Sequence, residues 1–354
     1  MGIERIDKNF ARTNEQSKGM KEYKIPCQPF DLYGIFYDEK IKCFLRMDYS
    51  VSEKVSANVH YLNCWTTGGR IRFRTNAKKI GITATYKYLE KMPHMTLLAS
   101  SGFVLLEGQE KEDFQRGCLN PTLNDENGFH ASCRLSGEMK NYMLYFPLYN
   151  DVESLSIQLD EDAVVEKGNI YRDVKPILYY GSSITEGGCA SRPDTCYPAL
   201  ISKWNNIDFI NLGFSGNCLG EIEMAEYLAQ QECSLFVCDY DHNAPNVEHL
   251  EKSHYRLYEI FRSKQKDTPI LFLTKPDVRS YDWYKQFRNV VYRTYRKAKA
   301  QGDNNVYFID GKSYYGEADC NICAVDGCHS NDLGFYKMAK KIYTKMIRID
   351  KNFK

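Results

Sequence analysis

The pattern of apolar and polar positions divides the chain into two stretches of different rhythm. Up to about residue 165 the apolar positions come in short runs rich in β-branched and aromatic residues: Ile41–Met47, Arg70–Thr75, Gly81–Tyr88, Met95–Leu106, Tyr142–Tyr149 and Val152–Leu159. Turn chemistry separates them, as at Thr66-Thr67-Gly68-Gly69, Pro121 and Asn124–Gly128. Arg70-Ile71-Arg72-Phe73-Arg74-Thr75 alternates polar with apolar, the period of a half-buried strand. No useful helical period shows between about residues 40 and 165, so this stretch reads as an all-β sandwich, jelly-roll-like in its spacing.

From residue 176 onward, strand and helix alternate. Pro176–Tyr180, Asp208–Leu212, Leu235–Cys238, Pro269–Leu273 and Val306–Ile309 are short, continuous apolar runs. Between and after them lie helical stretches at Tyr197–Trp204, Glu221–Gln230, Val247–Arg262, Trp283–Lys299 and Leu333–Ile347. Continuous apolar strands alternating with helices predict a flavodoxin-like, doubly wound, parallel five-stranded sheet. The expected domains are 1–170 and 171–354. In such a sheet, ligands bind beyond the carboxyl ends of the strands, which directs attention to the residues just after each run.

Composition narrows the function classes. Lys and Arg total 47 against 46 Asp and Glu, leaving a formal charge of +1. A nucleic-acid binder would normally show a basic surplus, so no nucleic-acid partner is expected. The polar N-terminus has no apolar stretch of the signal-peptide kind. No apolar run approaches the roughly 18 residues that span a bilayer, so no membrane partner is expected. Thirteen cysteines, an odd number, fall well short of a disulfide scaffold and fit a reduced, cytoplasmic protein. Aromatic residues make up 14%, including 27 tyrosines, which suits β structure and sugar or small-molecule surfaces.

The chemistry lies at the strand ends. The first run passes into Gly181-Ser182-Ser183-Ile184-Thr185-Glu186-Gly187, a hydroxyl on a strand-to-helix turn where a nucleophile's own N–H can face a developing oxyanion. The second passes into Gly213-Phe214-Ser215-Gly216-Asn217, whose glycines allow close backbone approach to a ligand or simply a turn. The third passes into Asp239-Tyr240-Asp241-His242-Asn243, where an amide side chain can donate to an oxyanion or cap a helix. Beyond the fifth lies Asp326-Gly327-Cys328-His329, a spacing that lets a carboxylate orient one imidazole nitrogen while the other accepts a serine proton. Glu186, Arg192 and His242 are candidates for substrate contacts at the rim. A competing reading makes Cys320, Cys323, Cys328 and His329 a zinc site of C-x2-C-x4-C-H spacing, in conflict with His329 as a base.

In their order and strand context, Gly-Ser-Ser-Ile-Thr, Gly-Phe-Ser-Gly-Asn, Asp-His-Asn and Asp-Gly-Cys-His resemble the sequence blocks of the SGNH (GDSL-like) hydrolases over residues 176–350. The resemblance implies Ser183 as nucleophile, His329 as general base and Asp326 as its orienter. It implies an oxyanion hole of the Ser183 and Gly216 N–H groups and the Asn243 side chain. The family's usual Asp before the nucleophile is Ser182 here. Ser101–Leu106 resembles a degenerate Gly-x-Asp-Leu-Tyr signature of the β-domain that precedes some members, with Val104 and Leu106 in place of Asp and Tyr. Two-domain members of this kind are similar to carbohydrate esterases.

The expected activity is therefore hydrolysis of small acyl esters, acetyl foremost, on a carbohydrate or other small hydroxylated substrate, with no cofactor and no metal. The alternatives are acyl transfer to a small alcohol by the same residues, or carbohydrate binding without catalysis. Homo-oligomer formation stays open.

Overall fold

The computed structural model describes residue 6 and residues 19–108, 114–276, 282–316, 318 and 320–354. The first stretch supplies β1 (Met20–Ile25), β2 (Asp31–Tyr33), β3 (Phe36–Asp38), β4 (Cys43–Leu45), β5 (Arg70–Thr75), β6 (Lys79–Thr85), β7 (Phe103–Glu107), β8 (Phe114–Leu119), β9 (Gly128–Arg134), β10 (Lys140–Tyr145), β11 (Ser154–Asp160) and β12 (Val165–Lys167). Ten of them form two antiparallel sheets, β1-β11-β6-β9 and β12-β5-β10-β7-β8, with β2 also paired to β5, and β3 and β4 pair with each other alone. Ile71, Phe73, Ile82, Leu105, Leu144 and Ile157 fill the space between the sheets, as the alternation predicts for a β-sandwich.

Three short helices depart from the all-β reading: α1 (Tyr49–Val55), α2 (Ala57–Leu62) and α3 (Leu97–Ser101). Each has an N-cap, Asp48, Ser56 and Thr96 respectively, whose side chain accepts a backbone N–H of the first turn. At two turns or fewer they are too short to show a helical period. The expected strand Met95–Leu106 is thus α3 followed by β7, broken at Gly102.

The second stretch supplies β13 (Ile177–Gly181), β14 (Phe209–Gly213), β15 (Leu235–Asp239), β16 (Ile270–Leu273) and β17 (Val306–Ile309), all parallel, in the order β14-β13-β15-β16-β17. Its helices are α4 (Ser183–Glu186), α5 (Tyr197–Asn205), α6 (Ile222–Gln230), α7 (Val247–Lys264), α8 (Asp282–Ala300) and α9 (Asp332–Ile349). Tyr179, Val237 and Leu271 pack toward α5 and α9 on one face. Leu178, Phe236 and Phe272 pack toward α6, α7 and α8 on the other. The sheet is doubly wound, and its first three strands meet at the point where the winding reverses.

The free edge of β14 is closed by arginines from the first stretch. Arg70, fully buried, donates to the Phe209 carbonyl and pairs with Asp208, and its guanidinium lies 3.8 Å from the Phe209 ring centre. Arg46 donates to the carbonyls of Asn211 and Gly213. Three alternate carbonyls of an edge strand are satisfied without a further strand.

Candidate active site

Gly181 ends β13 where a Cβ would stand 2.6 Å from the Asp239 carbonyl oxygen, so only glycine lets the chain turn there. Ser182 then caps α4, its hydroxyl accepting the Ile184 N–H at 3.1 Å. A serine can fill this place because capping needs only a side-chain oxygen. Gly187 closes the turn with φ of 107°. Ser183, the first residue of the turn, keeps an N–H that the helix does not use.

Its Oγ lies 2.8 Å from His329 Nε2, and His329 Nδ1 lies 2.7 Å from Asp326 Oδ2. The other Asp326 oxygen accepts the N–H groups of Cys328 at 2.9 Å and His329 at 2.7 Å. Desolvation would raise the Asp326 carboxyl, but these bonds outweigh it and hold it at about 2. An ionised carboxylate on Nδ1 favours the tautomer with Nε2 free to accept from the serine. The loop is clamped at its base, where Val325 N–H donates to His329 O at 2.9 Å, just before α9 begins behind its Asn331 cap.

Gly216 has φ of 70° and open space where a Cβ would stand, so the backbone is bare at that point. Asn243 ends a 3-10 turn after β15, and its Oδ1 accepts the Cys218 N–H at 3.3 Å, which leaves the Nδ2 group to face elsewhere. The loop after β14 is therefore tied to the Asn243 turn on one side. On the other it is tied to the Ser183 turn through Glu186, which accepts the Ser215 N–H at 2.9 Å.

Each of the three rim candidates has a polar partner within the chain, while His242 Nε2 and Arg192 Nε are left without one. Glu186 is fully buried and pairs with Arg46 at 3.6 Å; burial pushes its carboxyl up to about 7 against the pull of that arginine. Arg192 spends its guanidinium on Asp194 at 2.9 Å and on Gln115 of β8, anchoring the loop before α5. The His242 imidazole is 7% exposed and bonded through Nδ1 to Asp241 at 2.9 Å. Each follows a strand and has a polar partner within the chain.

The zinc reading also fails at His329, both of whose ring nitrogens are engaged. Among the described residues, the group with metal-ligand spacing is instead Asp239, Asp241 and His242. Its carboxylate oxygens accept within the chain except Asp239 Oδ1, which is buried without a partner. Asp239 accepts from Thr185 at 3.1 Å, while Asp241 accepts from Tyr284 at 2.5 Å and from the Lys275 N–H at 3.2 Å. All thirteen cysteines are free thiols. Among the described residues no helix is long and apolar enough to cross a membrane.

Sequence reasoning missed what the first stretch contributes. The Tyr149 hydroxyl lies 3.2 Å from the Ser183 carbonyl oxygen, Trp65 packs against the Tyr149 ring at 5.1 Å, and the His94 ring centre is 6.5 Å from that of His329. Arg46 was the one available signal, a charge inside an otherwise apolar run that required a buried partner.

Fold and site together define an α/β carboxylic ester hydrolase. The profile of the GDSL-like Lipase/Acylhydrolase family matches residues 174–348, and that of the N-terminus of Esterase_SGNH_hydro-type proteins, GxDLY, matches residues 22–165. The chain belongs to this family of SGNH (GDSL-like) hydrolases, in its two-domain form. The Ser101–Leu106 segment lies within the matched span 22–165, running from the last residue of α3 through Gly102 into β7.

Among solved structures, a candidate GDSL-like lipase from Bacteroides ovatus is 28% identical, with TM-score 0.84, covering 94% of this chain and 98% of its own. The salicylyl-acyltransferase SsfX3 of a tetracycline biosynthetic pathway shares the fold at 16% identity and TM-score 0.73, with coverage of 94% and 98%. A family two carbohydrate esterase from Clostridium thermocellum, solved with cellohexaose, shares it at 14% identity and TM-score 0.57, with coverage of 91% and 100%. No curated protein matches the chain.

Proposed function

We propose that the protein removes small acyl groups, acetyl foremost, from esters of carbohydrates or other small hydroxylated alcohols, with Ser183 as nucleophile, His329 as general base and Asp326 as its orienter. The observation that carries this reading is the unbroken relay of 2.8 Å from Ser183 Oγ to His329 Nε2 and 2.7 Å from His329 Nδ1 to Asp326. His329 takes the serine proton as Oγ attacks the ester carbonyl. The oxyanion is received by the Ser183 and Gly216 N–H groups and the Asn243 amide. His329 then protonates the leaving alcohol and afterwards draws a proton from water, which releases the acid and restores the serine.

A neutral substrate fits the balanced charge, and the half-buried Trp65 beside Tyr149 supports a ring-shaped alcohol. A division into 1–170 and 171–354 fits the end of β12 and the start of β13. Thirteen free thiols fit a reducing compartment.

Acetate release from a panel of acetylated oligosaccharides, run beside an acyl-length series and with added alcohol acceptors, tests the reading. Ser183→Ala should lose hydrolysis; near-full activity in that variant would overturn the assignment. Acyl transfer outrunning hydrolysis whenever an acceptor is present would make the enzyme a transferase. Turnover of long-chain esters alone would exclude acetyl carbohydrate.

A further inference from the structure

Two of the proposed oxyanion donors, the N–H groups of Ser183 and Gly216, stand on different segments, and one buried carboxylate joins the segments. Glu186 belongs to the turn that begins at Ser183. Its Oε2 accepts both the N–H of Ser215, at 2.9 Å, and the Ser215 hydroxyl. Its Oε1 lies 3.4 Å from Thr67 Oγ1 and 3.6 Å from Arg46 Nη2. The side chains of both charged residues are fully buried.

Arg46 grips the same loop from outside. It donates to the carbonyls of Asn211, at 3.3 Å, and of Gly213, and its guanidinium lies 4.4 Å from the Phe214 ring centre. A third donation, at 2.6 Å, ties it to the Leu62 carbonyl of α2. The turn and the strand end are in close contact besides. A Cβ on Gly213 would stand 2.6 Å from the Glu186 nitrogen, and Asn211 Nδ2 donates to the Thr185 carbonyl at 2.8 Å. Tyr149 completes the link, its hydroxyl 3.0 Å from Ser215 Oγ and 3.2 Å from the Ser183 carbonyl oxygen.

A buried ion pair is a poor way to gain stability, because desolvation offsets most of the attraction. It is a good way to hold two segments at one separation, since the bonds are directional and leave no slack. We propose that Glu186, held by Arg46, is a positioning residue that sets the spacing of the Ser183 and Gly216 donors, which makes the first half of the chain part of the oxyanion-stabilising apparatus. The inference rests on the Ser183 reading. Neither residue reaches a substrate, and the oxyanion exists only on the way to and from the tetrahedral intermediate. Loss of the spacing therefore lowers kcat and leaves KM in place.

The test uses the full chain carrying Glu186→Gln, Arg46→Lys, or the paired change Glu186→Gln with Arg46→Met, beside Ser183→Ala. Rates on p-nitrophenyl acetate are divided by active sites titrated with a phosphonate ester, so that misfolded protein does not count, and Tm is followed in parallel. A misplacement well under 1 Å should lower kcat per site about tenfold or more, with KM within about twofold. The paired change removes both charges at once and keeps the question open to measurement if a single variant does not fold.

Wild-type kcat per site in these variants, with Ser183→Ala inactive, would overturn the inference alone. A rise in KM at constant kcat would do the same. Activity in Ser183→Ala would overturn the assignment of the site and this inference with it.

Discussion

Asn243 offers the sharpest test of where the negative charge develops, because two substitutions separate its two ends. Its Oδ1 holds the Cys218 N–H at 3.3 Å, a long bond. Losing such a bond costs about 1 kcal/mol or less. For a protein of this size that is a Tm change of about 4 °C at most. Its Nδ2 end is proposed to donate to the oxyanion, and removal of one such donor typically costs about 2.7–4 kcal/mol, or 10²–10³ in kcat. Asn243→Ala should therefore lose two to three decades of rate with little loss of stability.

Asn243→Asp is closer to the native side chain in shape, and its carboxylate can still accept from Cys218. Yet it sets a negative oxygen where the transition state needs a donor. Two unit charges about 4 Å apart repel by about 4 kcal/mol at an effective dielectric of 20, roughly another thousandfold. The expected order of kcat/KM on p-nitrophenyl acetate at about pH 8 is wild type, then Asn243→Ala, then Asn243→Asp, with Tm values in near agreement. As the pH falls toward about 4 the new carboxyl takes up a proton and becomes a donor, so the Asp variant should gain on the Ala variant. An Asp variant as fast as the Ala variant at about pH 8 would refute a donor role.

Asp326→Asn should lower kcat by about 10³–10⁴, through loss of the carboxylate that orients His329, and change Tm little because the residue lies on an open loop; a drop below tenfold would show that His329 is oriented otherwise. Glu186 takes up a proton at about 7 in the fold against 4.5 as a free group, so its contribution to stability is full below about 4.5 and is lost as pH rises through 7. Glu186→Gln, which does not titrate, should accordingly gain in Tm relative to wild type between about pH 5 and pH 8, and parallel Tm–pH curves would contradict the assignment. Arg70→Met removes the other guanidinium on the β14 edge, which ends the Asp208 ion pair and leaves the Phe209 carbonyl without its donor, at a cost of about 3 kcal/mol. Calorimetry should show the lower Tm while kcat per titrated site stays within about twofold; a kcat fall as large as that for Arg46→Lys would mean that the whole edge, not the Glu186 pair, governs the site.

The parallel sheet was legible because a strand buried on both faces is written as an unbroken apolar run, and Ile177–Gly181 and Leu235–Asp239 are buried at every position. The residues worth attention followed from the rule that ligands sit beyond such strands. What that rule lacks is the direction of a side chain. Glu186 stands in the right place and turns inward, drawn by polar partners that belong to other parts of the chain. The helices α1, α2 and α3 left no periodic trace because a period needs more turns than they have. Arg46 and Glu186 are 140 positions apart, and nothing in local patterning couples them.

That coupling explains why the sandwich is more than an appendage. An edge strand presents alternate carbonyls outward, and in β14 those of Phe209, Asn211 and Gly213 would face water or attract another strand. Arg70 takes the first, and Arg46 takes the second and third. Backbone carbonyls cannot be replaced by mutation, so a guanidinium on them fixes the position of the strand and not merely its solvation. A purely apolar seam would bury as much surface and tolerate a shift along the strand, whereas directional bonds to named carbonyls do not. The end of β14 is where such a shift would matter most, because Gly216 lies three residues beyond it. A donor placed for an oxyanion contributes only within a few tenths of an ångström of its proper position. The polar seam therefore adds to the β13 pairing a second hold on the outermost strand, keeping its end in register with the turn that carries Ser183.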